Sequence, residues 1–287
     1  MPRSYLICAS ARTGSNLLAT ALRDMGVGRP YEYFNAGQFR NPFMLKLLEL
    51  PDSSMDLPDR LNRIVRAGTT ANGVFGVTVH WLDLARLLVA VGEKQKRALP
   101  VDGHSPDGVR SLFPPLSYIW LRRENRVAQG ISHYLAGKTG HWYEPIGSPE
   151  RDLSQDHDVP FDFQVIAERV RLATREETAW RQFLAGSPNT TLELTYEELA
   201  ADFPGTVARA LRFLEVPEGL KIPPPGLRRQ ATARSVEWER RYREQAQAAA
   251  RPEQPALFEL RVDCRPPGER TAAERYLEPS LFAGLKL

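Results

Sequence analysis

Residues 7–18 read ICASARTGSNLL. An apolar, strand-like start gives way to a short loop holding Arg12, Gly14 and the hydroxyls of Ser10, Thr13 and Ser15. The loop runs directly into Leu17, Leu18, Ala21, Leu22 and Met25 at helical spacing, which predicts a helix over Gly14–Met25. A strand, a tight loop and a helix at the start of a parallel sheet aim backbone N–H groups at the sheet's C-terminal edge, a geometry that binds phosphate. Gly14 lets the backbone approach an anion, Arg12 can fork onto two oxygens, and Thr13, Ser15 and Asn16 carry further donors. The Gly-x-x-x-x-Gly-Lys-Ser/Thr pattern is absent, so the Mg²⁺-centred machinery of a kinase or triphosphatase is not supported. Taken alone, the loop also matches a polar helix cap on an ordinary α/β fold.

Working outward, strand-like runs at Ser4–Ser10, Gly73–Trp81, Ser117–Leu121 and Thr190–Leu194 alternate with helical patterns. Helices are expected at Arg40–Leu50, Leu57–Ala67, Leu82–Val91, from after Leu121 to Ala136, at Phe163–Leu184 and through YEELAADFPGTVARALRFL. Arg29–Ala36 reads as a short strand or extended segment, and residues 138–160 as a polar loop long enough to act as a lid. The alternation predicts a three-layer αβα sandwich with a mostly parallel sheet, a P-loop-like nucleotide-binding fold. One domain over 1–243 is expected, followed by a C-terminal extension over 244–287 that is Ala/Gln-rich and then Pro-spaced.

The gross numbers are permissive. A chain of 287 residues can bury a sizeable core, and a net charge of +3 suits an anionic small ligand better than nucleic acid. Two cysteines, Cys8 and Cys264, form neither a metal cluster nor a disulfide framework, and Cys8 ends an apolar run as a small hydrophobe would. No metal is expected. No signal-type h-region and no run of 18 apolar residues is present, so a cytoplasmic protein is expected.

A second element narrows the ligand. LRRENRVAQGIS places Arg123 at the end of a strand and Ser132 nine residues later on the following helix, where both can face the cleft of the first loop. One loop would then hold one phosphate and this pair a second, as for a nucleoside phosphorylated at both ends. Arg122 competes with Arg123, but the spacing to the serine favours Arg123.

Four stretches, in order, resemble the PAPS-dependent sulfotransferases, most nearly the bacterial carbohydrate and glycolipid branch typified by trehalose 2-sulfotransferase. CASARTGSNLL is similar to that family's 5′-phosphosulfate loop, PYEYFNA to its acidic-aromatic segment, and LRRENRVAQGISHYLA to its 3′-phosphate element. RQATARSVEWERRY resembles the segment that closes over the nucleotide, and REETAWRQFL adds a weaker echo. The likeness covers roughly residues 4 to 243. It implies a 3′-phosphoadenosine 5′-phosphosulfate (PAPS) donor, released as PAP, with Arg12 and the loop amides stabilising charge on the bridging oxygen.

Arg123 and Ser132 would hold the 3′-phosphate, and Arg229, Gln230 and Ser235 would close over the nucleotide, with Trp238 either packing or stacking on adenine. The resemblance implies a homodimer as well, which nothing in the residues shows independently. An attacking hydroxyl must lose its proton. The resemblance points to Glu32, whose neighbours Tyr31, Tyr33 and Phe34 make a partly apolar setting suited to a general base. His80 is the rival base. Where the branch often has a Lys, this chain has Thr78, which puts acceptor specificity in question.

Aromatic rings pack on sugars and flat hydroxylated scaffolds alike. Tyr33, Phe34, Trp81, Tyr134, Trp142 and Tyr143 are the candidates to line an acceptor site, Trp142 and Tyr143 foremost because they lie in a polar loop. The acceptor expected is a carbohydrate, a glycolipid or a hydroxylated secondary metabolite of natural product biosynthesis. Two other readings stay open: a P-loop-like kinase or phosphoryl transferase, and a non-catalytic PAP(S)-binding protein.

Overall fold

The computed structural model describes residues 4–35, 37, 41–49, 57–94, 113, 115–148, 158–187 and 189–249. The tail from residue 250 onward, with Cys264, lies outside them, as do Ala36 and residues 149–157 of the expected loop. The described residues form two compact units, 4–124 with 174–227, and 125–173 with 228–249.

The first unit is built on four parallel strands, β1 (Tyr5–Ala9), β2 (Gly76–His80), β3 (Ser117–Arg122) and β4 (Thr191–Thr195), in the order β2-β1-β3-β4. Leu6 sits opposite Val77 on one side and Tyr118 on the other. The central strands are apolar over Tyr5–Ala9 and Tyr118–Leu121 because both faces of the sheet are covered. Tyr5, Ile7 and Ala9 face one way, toward helices α1 (Ser15–Asp24), α7 (Tyr196–Ala201) and α8 (Phe203–Phe213), which contribute Leu18, Leu22, Leu199 and Val207. Leu6 and Cys8 face the other way, toward α3 (Leu57–Gly68), α4 (Trp81–Lys94) and the end of α6 (Phe163–Ala185), which contribute Ile64, Leu84, Trp180 and Phe183. A short helix, α2 (Pro42–Leu47), adds Met44 to that second core. The result is the expected αβα layering around an all-parallel sheet.

Two local expectations need correction. The helical run after β4 is broken at Asp202, whose carboxylate accepts from Gly205 N at 2.9 Å and caps a new helix. Pro204 enforces the break, since it has no N–H for the preceding turn and fits a helix start. The segment from Arg29 is extended only as far as Tyr31, where Thr78 N donates to Tyr31 O at 3.1 Å. It then turns, with Asn35 N donating to Glu32 O at 3.1 Å.

The second unit packs α5 (Arg126–Thr139), the first half of α6 and α9 (Ala233–Ala249) around Ile131, Tyr134, Val159, Ile166 and Trp238. Helix α9 runs past residue 243, where the domain was expected to end. Asn125 caps α5 by accepting from Ala128 N at 3.0 Å.

Gly130 lets α5 approach α6. A Cβ there would lie 2.7 Å from Val170 Cγ2 and 3.1 Å from Val170 N. Helix propensity alone makes Gly→Ala worth up to about 1 kcal/mol of stabilisation, whereas overpacking costs roughly 1–3 kcal/mol. Gly130→Ala is therefore expected to lower stability in urea unfolding, and Val170→Ala in the same chain to recover part of the loss. A Gly130→Ala protein as stable as the parent would contradict this packing.

Candidate active site

Because all four strands run the same way, the loops that follow them share one edge of the sheet. The loop after β1 is the first component. Arg12 and Gly14 both take the left-handed conformation, with φ of 68° and 84°. Gly14 has a second constraint: a Cβ would approach Tyr196 Cδ2 to 3.0 Å. A non-glycine residue held at positive φ stores strain, a feature that concentrates at binding sites.

The helix that follows is unusual among those whose caps are described. Helices α2, α5, α7 and α8 carry side-chain caps from Asn41, Asn125, Thr195 and Asp202. At α1 the N-cap is Gly14, with no side-chain cap and no acidic residue in the first turn. The positive end of that helix is therefore offset by no side chain of its own first turn.

Two guanidiniums meet there. Arg123, just beyond β3, donates from Nη1 to Arg12 O at 3.2 Å, and its guanidinium lies 4.3 Å over the Tyr196 ring. Its neighbour Arg122 turns away and pairs with Glu193 at 2.5 Å. Burial, and then the charge of Arg123, bring the Arg12 guanidinium down to about 10, with Tyr196 and Glu32 acting in the opposite sense. An anion between the two arginines would relieve that repulsion.

The donors expected of Thr13 and Asn16 are committed elsewhere. Thr13 is buried and its hydroxyl donates to Ser10 O at 3.0 Å, fixing the loop's curvature. Asn16 donates to Glu32 Oε1 at 3.2 Å. Ser15 is the buried first residue of α1.

Glu32 sits beside the loop. Its Oε2 accepts from Asn35 Nδ2 at 2.8 Å, and its Oε1 lies 3.6 Å from His80 Nε2. The two residues considered as rival bases are thus neighbours. Behind His80 stand two buried carboxyls, Asp83 and Glu176. Burial works against a charged His80 ring, but Glu32, Asp83 and Glu176 together outweigh it and raise its pKa above the ordinary histidine value. Burial pushes Asp83 up to about 7, against the pull of His80 and of Arg86 at 3.9 Å. Burial raises Glu176 as well, opposed by His80 and by a hydrogen bond with Ser10.

The expected acceptor aromatics divide. Tyr33, Phe34 and Trp81 were expected to meet the acceptor, but they pack into the core. Tyr33 gives its hydroxyl to Arg29 O at 2.9 Å, Phe34 meets Phe113, and Trp81 packs edge-on against Trp180 at 5.1 Å. Tyr134 and Trp238 pack in the core of the second unit. In that unit Tyr143 is exposed and Trp142 half-buried, with its ring 5.8 Å from His133. Ser132 is half-buried on α5, Arg229 is exposed and Gln230 half-buried. The preceding Arg228 anchors the Trp142 loop, binding Glu144 through its backbone N at 2.8 Å and its Nη1 at 2.9 Å. Ser235 is half-buried beside Thr232, within 3.4 Å of its hydroxyl.

Residues 4–245 match the family model described as Stf0 sulphotransferase. The chain belongs to the Stf0 sulphotransferase family. Among its curated relatives is the trehalose 2-sulfotransferase of Mycobacterium tuberculosis (strain ATCC 35801 / TMC 107 / Erdman), 30% identical over 269 residues, 85% of this chain and 96% of that protein. Another is the trehalose 2-sulfotransferase of Mycolicibacterium smegmatis (strain ATCC 700084 / mc(2)155), 31% identical over 270 residues, 86% of this chain and 96% of that protein. Among the described residues no helix is long and apolar enough to cross a membrane. Nor, among them, does any group of three or more His, Cys, Asp or Glu side chains form a metal site.

In this Stf0 protein Thr78, where the resemblance leads us to look for a Lys, is structural. Thr78 is buried, and its hydroxyl donates to Pro30 O at 2.8 Å. Together with its backbone bond to Tyr31, this pins the two residues that precede Glu32. Reading the sequence missed Tyr196, Asp83, Glu176 and Trp180. Asp83 lies three residues after His80 and Tyr196 directly after β4, positions at the sheet edge that were the available signal.

The raised groups carry a pH consequence. Asp83, His80 and Glu176 all titrate higher in the folded chain than unfolded, so the folded state binds more protons and stability falls as pH rises through the folded values. The melting temperature is therefore expected to decline between about pH 5 and pH 8, the range around Asp83's value of about 7. Asp83→Asn should flatten that decline, and an unchanged slope in differential scanning calorimetry would contradict the placement of Asp83.

Proposed function

We propose that this sulfotransferase moves the sulfuryl group of PAPS to a hydroxyl of a carbohydrate or glycolipid, with Glu32 as general base. The observation that carries the reading is the uncapped N-terminus of α1 with Arg12 and Arg123 converging on it. A phosphate-linked donor suits two half-buried arginines and a helix dipole. The names of the two relatives make trehalose the first acceptor to test. PAPS supplies the activated sulfuryl group and leaves as PAP.

In line with the bond that breaks, the acceptor oxygen forms a bond to sulfur. The electron pair of the broken S–O bond passes to the 5′-phosphate oxygen. Arg12 and the first-turn N–H groups of α1 hold the charge that develops there. Glu32 takes the acceptor's proton, and Asn16, Asn35 and His80 orient its carboxylate for that step. Arg123, Ser132, Arg229 and Gln230 are assigned to the nucleotide's 3′-phosphate and its closure on the strength of the resemblance. Trp142 and Tyr143 are the aromatics assigned to the acceptor.

The test is transfer of radiolabelled sulfate from PAPS to trehalose and to a panel of glycolipids and hydroxylated scaffolds. Glu32→Gln is expected to lower kcat by about 10²–10⁴-fold, the usual worth of a general base, with PAP affinity near that of the parent. His80→Ala should cost less. Activity that survives Glu32→Gln and is lost in His80→Ala would exchange the two roles.

A further inference from the structure

The long helix α6 carries a motif that the reaction so far leaves unused, Glu176 and Trp180 in REETAWRQFL, four residues apart and so on one face. Both are buried. Trp180 Nε1 donates to Ala9 O at 2.8 Å. Glu176 is hydrogen-bonded to Ser10, the next residue along. One turn of α6 therefore grips the last two residues before the anion loop. Ser10 is itself tied into that loop, because its carbonyl accepts the Thr13 hydroxyl at 3.0 Å. Glu176 also acts electrostatically on His80, whose Nε2 faces Glu32.

A buried carboxyl is costly unless something holds it there, and a salt-bridging arginine or lysine would be the usual partner. The partners identified for Glu176 are a serine hydroxyl and an imidazole. Both belong to segments that the proposed reaction depends on, one leading into the donor loop and the other beside the base.

We propose that Glu176 is a positioning residue for sulfuryl transfer: it joins the root of the donor loop, through Ser10, to the His80–Glu32 pair that receives the acceptor's proton. This rests on the reading of Glu32 as the base. The groups facing His80 are Glu32 from the segment after α1, Asp83 from α4 with Arg86 beside it, and Glu176 from α6. Glu176 is thus the charge that reaches His80 from the helix that also holds the loop.

Glu176→Gln separates the two duties, since its amide oxygen still accepts from Ser10 while the charge is gone. Its kcat is expected to fall by about 10–100-fold, the scale for misplacing a reacting group, with the KM for PAPS within about twofold of the parent. Glu176→Ala loses both duties and should raise the KM for PAPS as well. Glu176→Asp, which restores the charge, should recover kcat more than KM. The deciding readout needs no donor: the His80 ring titration, followed by NMR and assigned with His80→Gln, should move down in Glu176→Gln and return in Glu176→Asp. An unmoved His80 titration overturns the inference whatever the rate does. A parent protein that neither binds PAP nor transfers from PAPS overturns the donor reading instead, and the titration still decides the role of Glu176.

Discussion

Two half-buried arginines at one end of a parallel sheet set the terms for the loops around them. Arg12 and Arg123 repel, and the fold holds them together by indirect means. Arg123 is anchored to the Arg12 carbonyl and stacked on Tyr196. Arg12 is held in a left-handed turn, and Gly14's missing side chain lets the loop lie close against the same Tyr196. The topology makes this possible. Strand β1 lies between β2 and β3, so the chain leaves it in one direction for β2 and crosses in the other for β3. Loops diverge at such a point and leave a crevice for a ligand.

The acid–base cluster uses the same edge. His80 ends β2, Glu32 is held against it by Asn16 and Asn35, and Asp83 and Glu176 back it from two helices. Three of these groups titrate above their ordinary values, so the cluster holds protons that an exposed set would release. Perturbed groups of this kind gather at sites of proton transfer. Thr78 contributes without touching the chemistry. Its hydroxyl fixes the backbone two residues before Glu32, and its backbone N–H fixes the next.

Much of the first unit was legible because its signals are local. The apolar run into Ser10, the glycine at the helix entry and the β-branched stretch at Gly76–His80 follow from strand and helix periodicity. The ordered resemblance pointed to Arg12, Glu32 and Arg123, which lie close to one another in the first unit. What stayed hidden depends on contacts across long stretches of chain. Glu176 lies among other acids and arginines in a stretch that gave only a weak family echo, and only the approach of Ser10 and His80 makes it distinct. Tyr33, Phe34 and Trp81 misled for the converse reason: an aromatic beside a candidate base looks the same in sequence whether it lines a cleft or fills a core. The helix break at Asp202 was written in Pro204 and its preceding acid, but a continuous apolar pattern masked it.

The measurement that bears most directly on this account is calorimetric titration with PAP of the parent protein and of Arg12→Ala and Arg123→Ala. The account requires tight binding by the parent and a loss of at least about tenfold in each variant, since each removes a charge-assisted contact to a phosphate. Binding that survives both substitutions, or a parent that does not bind PAP, would contradict the assignment of this sheet edge to the donor.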